Sequence, residues 1–313
     1  MDPLESVRFE HDSTFALMLE CRRRGYEVRE LRQEWLWCEG ARPRSRMRSV
    51  EVLRGGENFR VLDDLDAPLA DLDVLFLRKD PPVDGDYLQA TLLVDLERGP
   101  LLINHPRGLR EANEKLFALR FAQFVPPTIV SREIGRLREF LQRQGGDAVI
   151  KPLDGCGGSG VFRLRLGDPN LGSLLETATQ GGRVAIMAQA YLPAIEEGDK
   201  RIILLDGEPI GAVLRVPPEG ELRANLAVGG VPRRASVSTR EREICRALAP
   251  ELRNLGLWFV GIDVIGGFLT EVNVTSPTGL VEIDALSGGS LESQVIDFAV
   301  RRSGLQARAV AGM

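Results

Sequence analysis

Apolar and polar positions change period several times along this chain. Apolar residues recur at helical spacing through FALMLECRRR, with Asp12-Ser13 placed to cap the start and Gly25 to stop the end. Residues 26–31 alternate as a short strand, and further strands are expected at 35–38 and 47–52 among polar turns. DLDVLFL at 71–77 reads as a buried strand, 86–97 as a helix and 100–104 as a strand. Alternating helices and strands predict an open α/β sheet for this half. A helix over 110–121 follows, and a linker is expected within 105–127.

Pro126-Pro127-Thr128 marks a change of pattern. Beyond it the periodicity predicts helices at 131–144 and 171–179, with strands at 148–153, 161–166, 183–188, 200–205 and 209–216. This is an α+β pattern of mostly antiparallel pairs, without repeats or low-complexity tracts. Residues 269–274 also read as a strand, but Glu271 and Asn273 interrupt it. Side chains alternate faces along a strand, so these two point the same way.

Length and composition narrow the picture. A chain of 313 residues suggests about two domains. A formal net charge of −5 gives a nucleic-acid partner no global support. The four cysteines are scattered without CxxC spacing, as in a reducing compartment. No apolar run approaches the length of a membrane span, and MDPLESVRFEHD lacks a leader pattern. A cytoplasmic protein is expected. The two histidines, His11 and His105, have no Ser or Cys motif beside them, which argues against a nucleophilic triad.

Three groups of residues carry chemistry. The first is VIKPLDGCGGSGVFRL, where Gly155, Gly157, Gly158 and Gly160 lie between two strands. Glycines let backbone N–H groups approach phosphate oxygens. A P-loop and a dinucleotide fingerprint both open a helix, whereas a strand follows here. A glycine-rich hairpin alone would be a loose surface turn. Lys151 changes that, because an ammonium ending an apolar strand needs an anionic partner.

The second group is Asp263, Glu271 and Asn273, hard oxygen donors suited to Mg²⁺ or Mn²⁺ shared with phosphates. A plain two-residue turn at Gly266-Gly267 would set Asp263 opposite Thr270, on the wrong face. Convergence of the three needs a longer loop or a bulge. The third group is cationic: Lys115, expected on a helix, with Lys200, Arg201, Arg215 and Arg223. Beside a glycine loop and a carboxylate site, these look like a cage for a phosphate in transfer.

Together these motifs resemble prokaryotic glutathione synthetase, a family of ATP-grasp ligases. The resemblance rests on Asn113-Glu114-Lys115-Leu116, Lys151-Pro152-Leu153-Asp154-Gly155, Met187-Ala188-Gln189, Gly198-Asp199-Lys200-Arg201 and Thr270-Glu271 through Pro277. It continues in Met1-Asp2-Pro3, Arg78-Lys79-Asp80-Pro81-Pro82 and Gly108-Leu109-Arg110, so it covers nearly the whole chain.

The resemblance implies an α/β N-terminal pre-ATP-grasp domain over 1–112, binding substrate, and an α+β ATP-grasp fold over 113–313. The lid subdomain would span about 125–190 and the catalytic subdomain about 191–313. It implies that ATP, γ-glutamylcysteine and glycine give glutathione, ADP and phosphate. Lys115, Lys151 and the loop of Gly155, Gly157 and Gly158 would hold ATP phosphates. Gln189, Tyr191 and Leu192 would form the hinge beside adenine, and Asp199 would reach the ribose. Asp263, Glu271 and Asn273 would hold Mg²⁺ or Mn²⁺. Arg201, Arg215 and Arg223 would stabilise transferring phosphate, and Arg78 would bind the peptide. A homo-oligomer is also implied.

The chain departs from the family pattern in places. The expected lid, 217–232, is poor in glycine around Arg223, and Val281 stands where an arginine is expected. In an open sheet a strand normally precedes the first helix, yet Met1-Asp2-Pro3 already looks like the loop after it. The N-terminal sheet is therefore expected to lack its first strand, with an apolar segment upstream of Met1. Other ATP-grasp ligases, joining D-alanine to D-alanine or adding glutamate, share the nucleotide and metal residues. A non-catalytic ATP-binding regulator and a metal-dependent kinase are further alternatives.

Overall fold

The computed structural model describes residues 1–55 and 58–305. In the N-terminal part, α1 (Ser13–Arg23) is capped by Asp12, whose Oδ1 accepts from Phe15 N at 2.6 Å. It is followed by β1 (Arg29–Glu30), β2 (Leu36–Glu39), β3 (Arg42–Val52) and β4 (Phe59–Pro68). β3 pairs antiparallel with β1, β2 and β4. The strand expected at 26–31 is thus reduced to two residues, and β4 was not expected at all. Most of β4 is exposed and carries Asp63, Asp64 and Asp66, so no apolar alternation marks it. Its partner β3 is arginine-rich, and Arg46 pairs with Asp64 across the ladder.

β5 (Val74–Phe76), α2 (Gly85–Val94), β6 (Leu101–Ile103) and α3 (Pro106–Glu111) follow, and β5 pairs parallel with β6. The other edge of β5 pairs with no strand among the described residues. There an apolar cleft of about 360 Å³ opens, lined by Met1, Leu17, Val28, Leu75, Phe76 and Ile296 among others.

The second sheet holds β7 (Thr128–Ser131), β8 (Asp147–Pro152), β9 (Phe162–Arg165) and β10 (Ile186–Ala190), in the order β7-β10-β8-β9. α4 (Ile134–Arg143) and α5 (Leu171–Ala178) supply Leu137, Leu141, Leu171 and Leu175 to its core. The third sheet is ordered β13-β12-β11-β14-β15, from β11 (Asp199–Leu205), β12 (Glu208–Val216), β13 (Val231–Arg234), β14 (Phe259–Ile265) and β15 (Phe268–Asn273).

α6 (Thr239–Asn254) starts in a capping box of Ser238 and Glu241. α7 (Leu280–Ser287) and α8 (Leu291–Ser303) complete the described chain. Leu17 of α1 and Ile103 of β6 share a core with Ile203, Phe259 and Val295. The N-terminal part is therefore packed onto the third sheet. No helix among the described residues is long and apolar enough to cross a membrane.

Candidate active site

The glycine loop leaves the end of β8 at Lys151-Pro152. A Cβ at Gly155 would lie 2.6 Å from Pro152 Cγ, so only glycine lets the chain turn this tightly. Gly158 has φ +80°, and a Cβ there would lie 2.8 Å from Asn225 Oδ1 and 3.0 Å from Arg223 Cδ. The loop from β12 to β13 therefore rests directly on the glycine loop. Between these loops and the third sheet lies a cavity of about 100 Å³.

Lys115, Lys151, Gly155, Gly157 and Gly158 line that cavity, as do Gln189 of β10 and Tyr191 and Leu192 just after it. Asp199, Arg223, Asp263 and Glu271 line it from the third sheet and its loop. Lys151 sits opposite Met187 of β10 in the ladder. Gln189 is buried and its Nε2 donates to Thr128 Oγ1 at 3.2 Å. The Arg163 guanidinium stacks 3.4 Å from the centroid of the Tyr191 ring and is paired with Asp147. Arg163 was not singled out from sequence. It is one of two arginines on β9, and only the stacking places it beside Tyr191.

Lys115 corrects the sequence expectation. Residues 110–121 do not form one helix: α3 ends at Glu111 and a 3₁₀ turn, Phe117–Phe121, follows. Asn113 Oδ1 accepts from Lys115 N at 3.1 Å and Leu116 N at 3.0 Å, a local turn that competes with helix. The turn buries Lys115, whose Nζ donates to Gly155 O at 2.5 Å and lies 3.7 Å from Glu271 Oε1. One ammonium thus bridges the glycine loop and the carboxylate wall.

That wall is built by the hairpin of β14 and β15. Ile265 pairs with Phe268 and Val264 with Leu269, but Asp263 pairs with Glu271. Thr270 is the extra residue of a bulge, and its Oγ1 donates to Asp263 O at 3.2 Å. The irregularity that convergence required is present. Asn273 Nδ2 reaches Asp263 Oδ2 at 3.3 Å, so the three oxygen-donor residues form one group.

Asp263 is buried in a nest of arginines. Arg201 donates through Nε to Oδ1 at 2.5 Å and through Nη2 to Oδ2 at 2.9 Å, and Arg215 Nη2 lies 3.0 Å from Oδ1. Burial alone would favour the neutral acid, but Arg201 and Arg215 outweigh it and hold the carboxyl well below the usual range. Arg215 also pairs with Asp199. Burial pushes Asp199 up to about 6, against the pull of Arg215 and with the help of the Asp263 charge. Arg223 sits apart from this nest, in a two-pronged pair with Glu221.

Arg78 does not line this cavity. It is buried beside the apolar cleft, donating through Nε to Thr14 Oγ1 at 3.1 Å and through Nη2 to Pro277 O at 2.9 Å. Its Nη1 is buried without a partner among the described residues. The link to the site is the loop 275–279: Arg78 holds Pro277 O, and Arg201 Nη1 donates to Thr278 O at 3.2 Å.

No group of three or more His, Cys, Asp or Glu residues placed to hold a metal occurs among the described residues. The hairpin offers two carboxylates and a carboxamide instead. Such a set is incomplete by itself and suits a hard divalent cation whose remaining ligands are phosphate oxygens.

Residues 1–110 match the model of the prokaryotic glutathione synthetase N-terminal domain, and residues 114–288 match that of the prokaryotic glutathione synthetase ATP-grasp domain. The glutathione synthetase of Pseudomonas syringae pv. tomato is 45% identical over 98% of this chain and 97% of its own length. Those of Pseudomonas aeruginosa and Escherichia coli are 46% and 42% identical, each over 95% of both chains. Among solved structures, the ATP-grasp ligase PsnB complexed with minimal precursor has a TM-score of 0.60 at 18% identity, covering 92% of this chain and 95% of that one. D-cycloserine synthetase DcsG has a TM-score of 0.56 at 19% identity, over 75% and 84%. The last two speak for the fold.

Two antiparallel sheets closing on a cavity, with lysines and a glycine loop facing a carboxylate hairpin, define an ATP-grasp enzyme, an ATP-dependent ligase that uses a divalent metal. Within that class, the chain belongs to the prokaryotic glutathione synthetase family.

Proposed function

We propose that this protein is a glutathione synthase, ligating glycine to γ-glutamylcysteine at the expense of ATP. The observation that carries the reading is the bulge at Thr270. It turns Glu271 toward Asp263 and toward Lys115, so that cations and metal-ligating oxygens face one cavity. A carboxylate is a poor electrophile. A cysteinyl carboxylate oxygen attacks the γ-phosphorus, ADP leaves, and an acyl phosphate forms. Glycine's amine then attacks the carbonyl carbon and inorganic phosphate departs. No enzyme nucleophile is needed, and the protein's work is positioning and electrostatics.

In this reading Lys115, Lys151 and the glycine loop hold the phosphates. Asp199 takes a ribose hydroxyl, a role supported by its Oδ1, which is buried without a partner among the described residues. Asp263, Glu271 and Asn273 would hold Mg²⁺ or Mn²⁺, which would supply positive charge to offset that of the phosphates. Arg201 and Arg215 keep Asp263 ionised and in place. Arg223 leaves Glu221 for the transferring phosphate. Arg78 serves the peptide, through Pro277 O and through Nη1, which has no partner among the described residues and would pair with a carboxylate.

A cavity of about 100 Å³ is smaller than the roughly 300 Å³ of an ordinary ligand pocket. Nucleotide entry therefore requires the glycine loop and the 217–230 loop to part. Their closure then keeps water from the acyl phosphate. An assembly of identical subunits in the cytoplasm belongs to the same proposal, with light scattering as its check. The reaction itself is tested by phosphate release from ATP with γ-glutamylcysteine, with and without glycine. Rapid release only when both are present supports the reading; release driven by another amino-acid pair overturns it.

A further inference from the structure

β15 is the last strand of its sheet, so among the described residues one edge of the strand carrying Glu271 and Asn273 has no strand beside it. That edge is not bare. Val272 N donates to Glu114 O at 2.8 Å, as a neighbouring strand would provide. Two residues on, the Glu114 side chain continues the pairing. Its Oε1 accepts from Val274 N at 2.9 Å, Thr275 N at 3.1 Å and Thr275 Oγ1 at 2.8 Å. From the other side, Asn104 Nδ2 donates to Val274 O at 2.7 Å.

The consequence is geometrical. Glu114 grips both ends of the segment 272–275, and Asn273 lies within it. Glu114 also immediately precedes Lys115, whose Nζ sits between Gly155 O and Glu271. One residue thus sets the register between a phosphate-holding lysine and two metal-ligating oxygens. It also fixes the start of the loop whose carbonyls are taken by Arg78 and Arg201.

We infer that Glu114 is a positioning residue of the ligase reaction. Its carboxylate oxygen acts as the hydrogen-bond acceptor that fixes β15 and the 275–279 loop against Lys115, so that the metal ligands are held ready. All three of its side-chain contacts go to one oxygen, so the role needs an acceptor and not a charge. Groups behind a metal's ligands typically govern its affinity about tenfold to a hundredfold.

The inference rests on the metal assignment above, and the experiment separates the two. Mn²⁺ binding is measured by calorimetry with the non-hydrolysable analogue AMPPNP present, on the full chain, together with kcat, KM and melting temperature. Glu114→Ala is expected to weaken Mn²⁺ about tenfold or more and to lower kcat by at least as much. Glu114→Gln, which keeps an acceptor oxygen, is expected to stay within about threefold of the parent in both. Thr275→Val, which removes one of the three donors, is expected to weaken Mn²⁺ about two- to fivefold even if Glu114→Ala does not fold. Parental Mn²⁺ affinity in Glu114→Ala or Thr275→Val overturns the inference, as does a folded Glu114→Gln as impaired as the alanine variant. Failure of the parent protein to bind Mn²⁺ would instead overturn the metal assignment.

Discussion

Replacing Glu271 by Gln changes one atom and removes one charge. Glu271 faces the cavity with its side chain 21% exposed, and its charged neighbour is Lys115 Nζ at 3.7 Å. It belongs to no apolar core, so the fold has little to lose. A partly exposed ion pair contributes on the order of 0.2–1 kcal/mol, and the glutamine can still hydrogen-bond. The melting temperature should move by no more than about 4 °C, given about 2–4 °C per kcal/mol in large domains. Catalysis is another matter. The carboxylate is one of only two in the hairpin's oxygen set, so its loss removes half of the negative charge offered to the cation. Losing an interaction with a charged group costs about 1.5–3 kcal/mol, and at 1.36 kcal/mol per decade that is about tenfold to a hundredfold in rate. In the proposed role the carboxylate would help hold the metal that offsets phosphate charge, so the loss should lie at or beyond the upper end. The assay is phosphate release at saturating ATP and millimolar Mg²⁺, beside a thermal melt of the same preparation. Turnover within threefold of the parent, with an unchanged melt, would refute the metal assignment of Glu271.

Lys151→Met should weaken ATP about tenfold to a hundredfold, from loss of a charge-assisted contact, while calorimetry on the apo protein shows little change in stability. Gly158→Ala should lower kcat/KM for ATP about tenfold, because residue 158 has φ +80° and the new Cβ meets Asn225 and Arg223; unchanged kinetics would show that the two loops need not close. Asp284 is raised to about 7, first by burial and then by its hydrogen bond to Glu292. The folded state holds that proton more tightly than the unfolded chain, so this group's contribution is complete below about pH 4 and is lost as pH rises through 7. Melting temperatures from pH 5 to 8 should therefore fall less steeply in Asp284→Asn than in the parent.

Where the sequence was legible, the reason was local. Glycines followed by a strand, and an alternating strand broken by Glu271 and Asn273, carry their chemistry within a few residues. Counting faces around Gly266-Gly267 showed that convergence needs a longer loop or a bulge, and the structure supplies the bulge, at Thr270. What stayed hidden depended on partners far along the chain. β4 shows no apolar alternation because it is paired on one edge and exposed on both faces, so propensity gave no sign of it. The break of the 110–121 helix hangs on the Asn113 side chain and on Glu114 reaching residues 272–275, some 160 positions away. Arg78 looked like a substrate ligand from its motif, and the structure adds that it holds a loop carbonyl from inside the protein.

The central claim is that the carboxylate of γ-glutamylcysteine is activated as an acyl phosphate in this cavity. The direct measurement uses γ-glutamylcysteine with both oxygens of its cysteinyl carboxylate replaced by ¹⁸O, incubated with ATP, Mg²⁺ and glycine. Mass spectrometry follows the label. The account predicts one ¹⁸O in each inorganic phosphate released and the other in the new amide of the tripeptide. Tripeptide formed alongside phosphate that carries no ¹⁸O would contradict it.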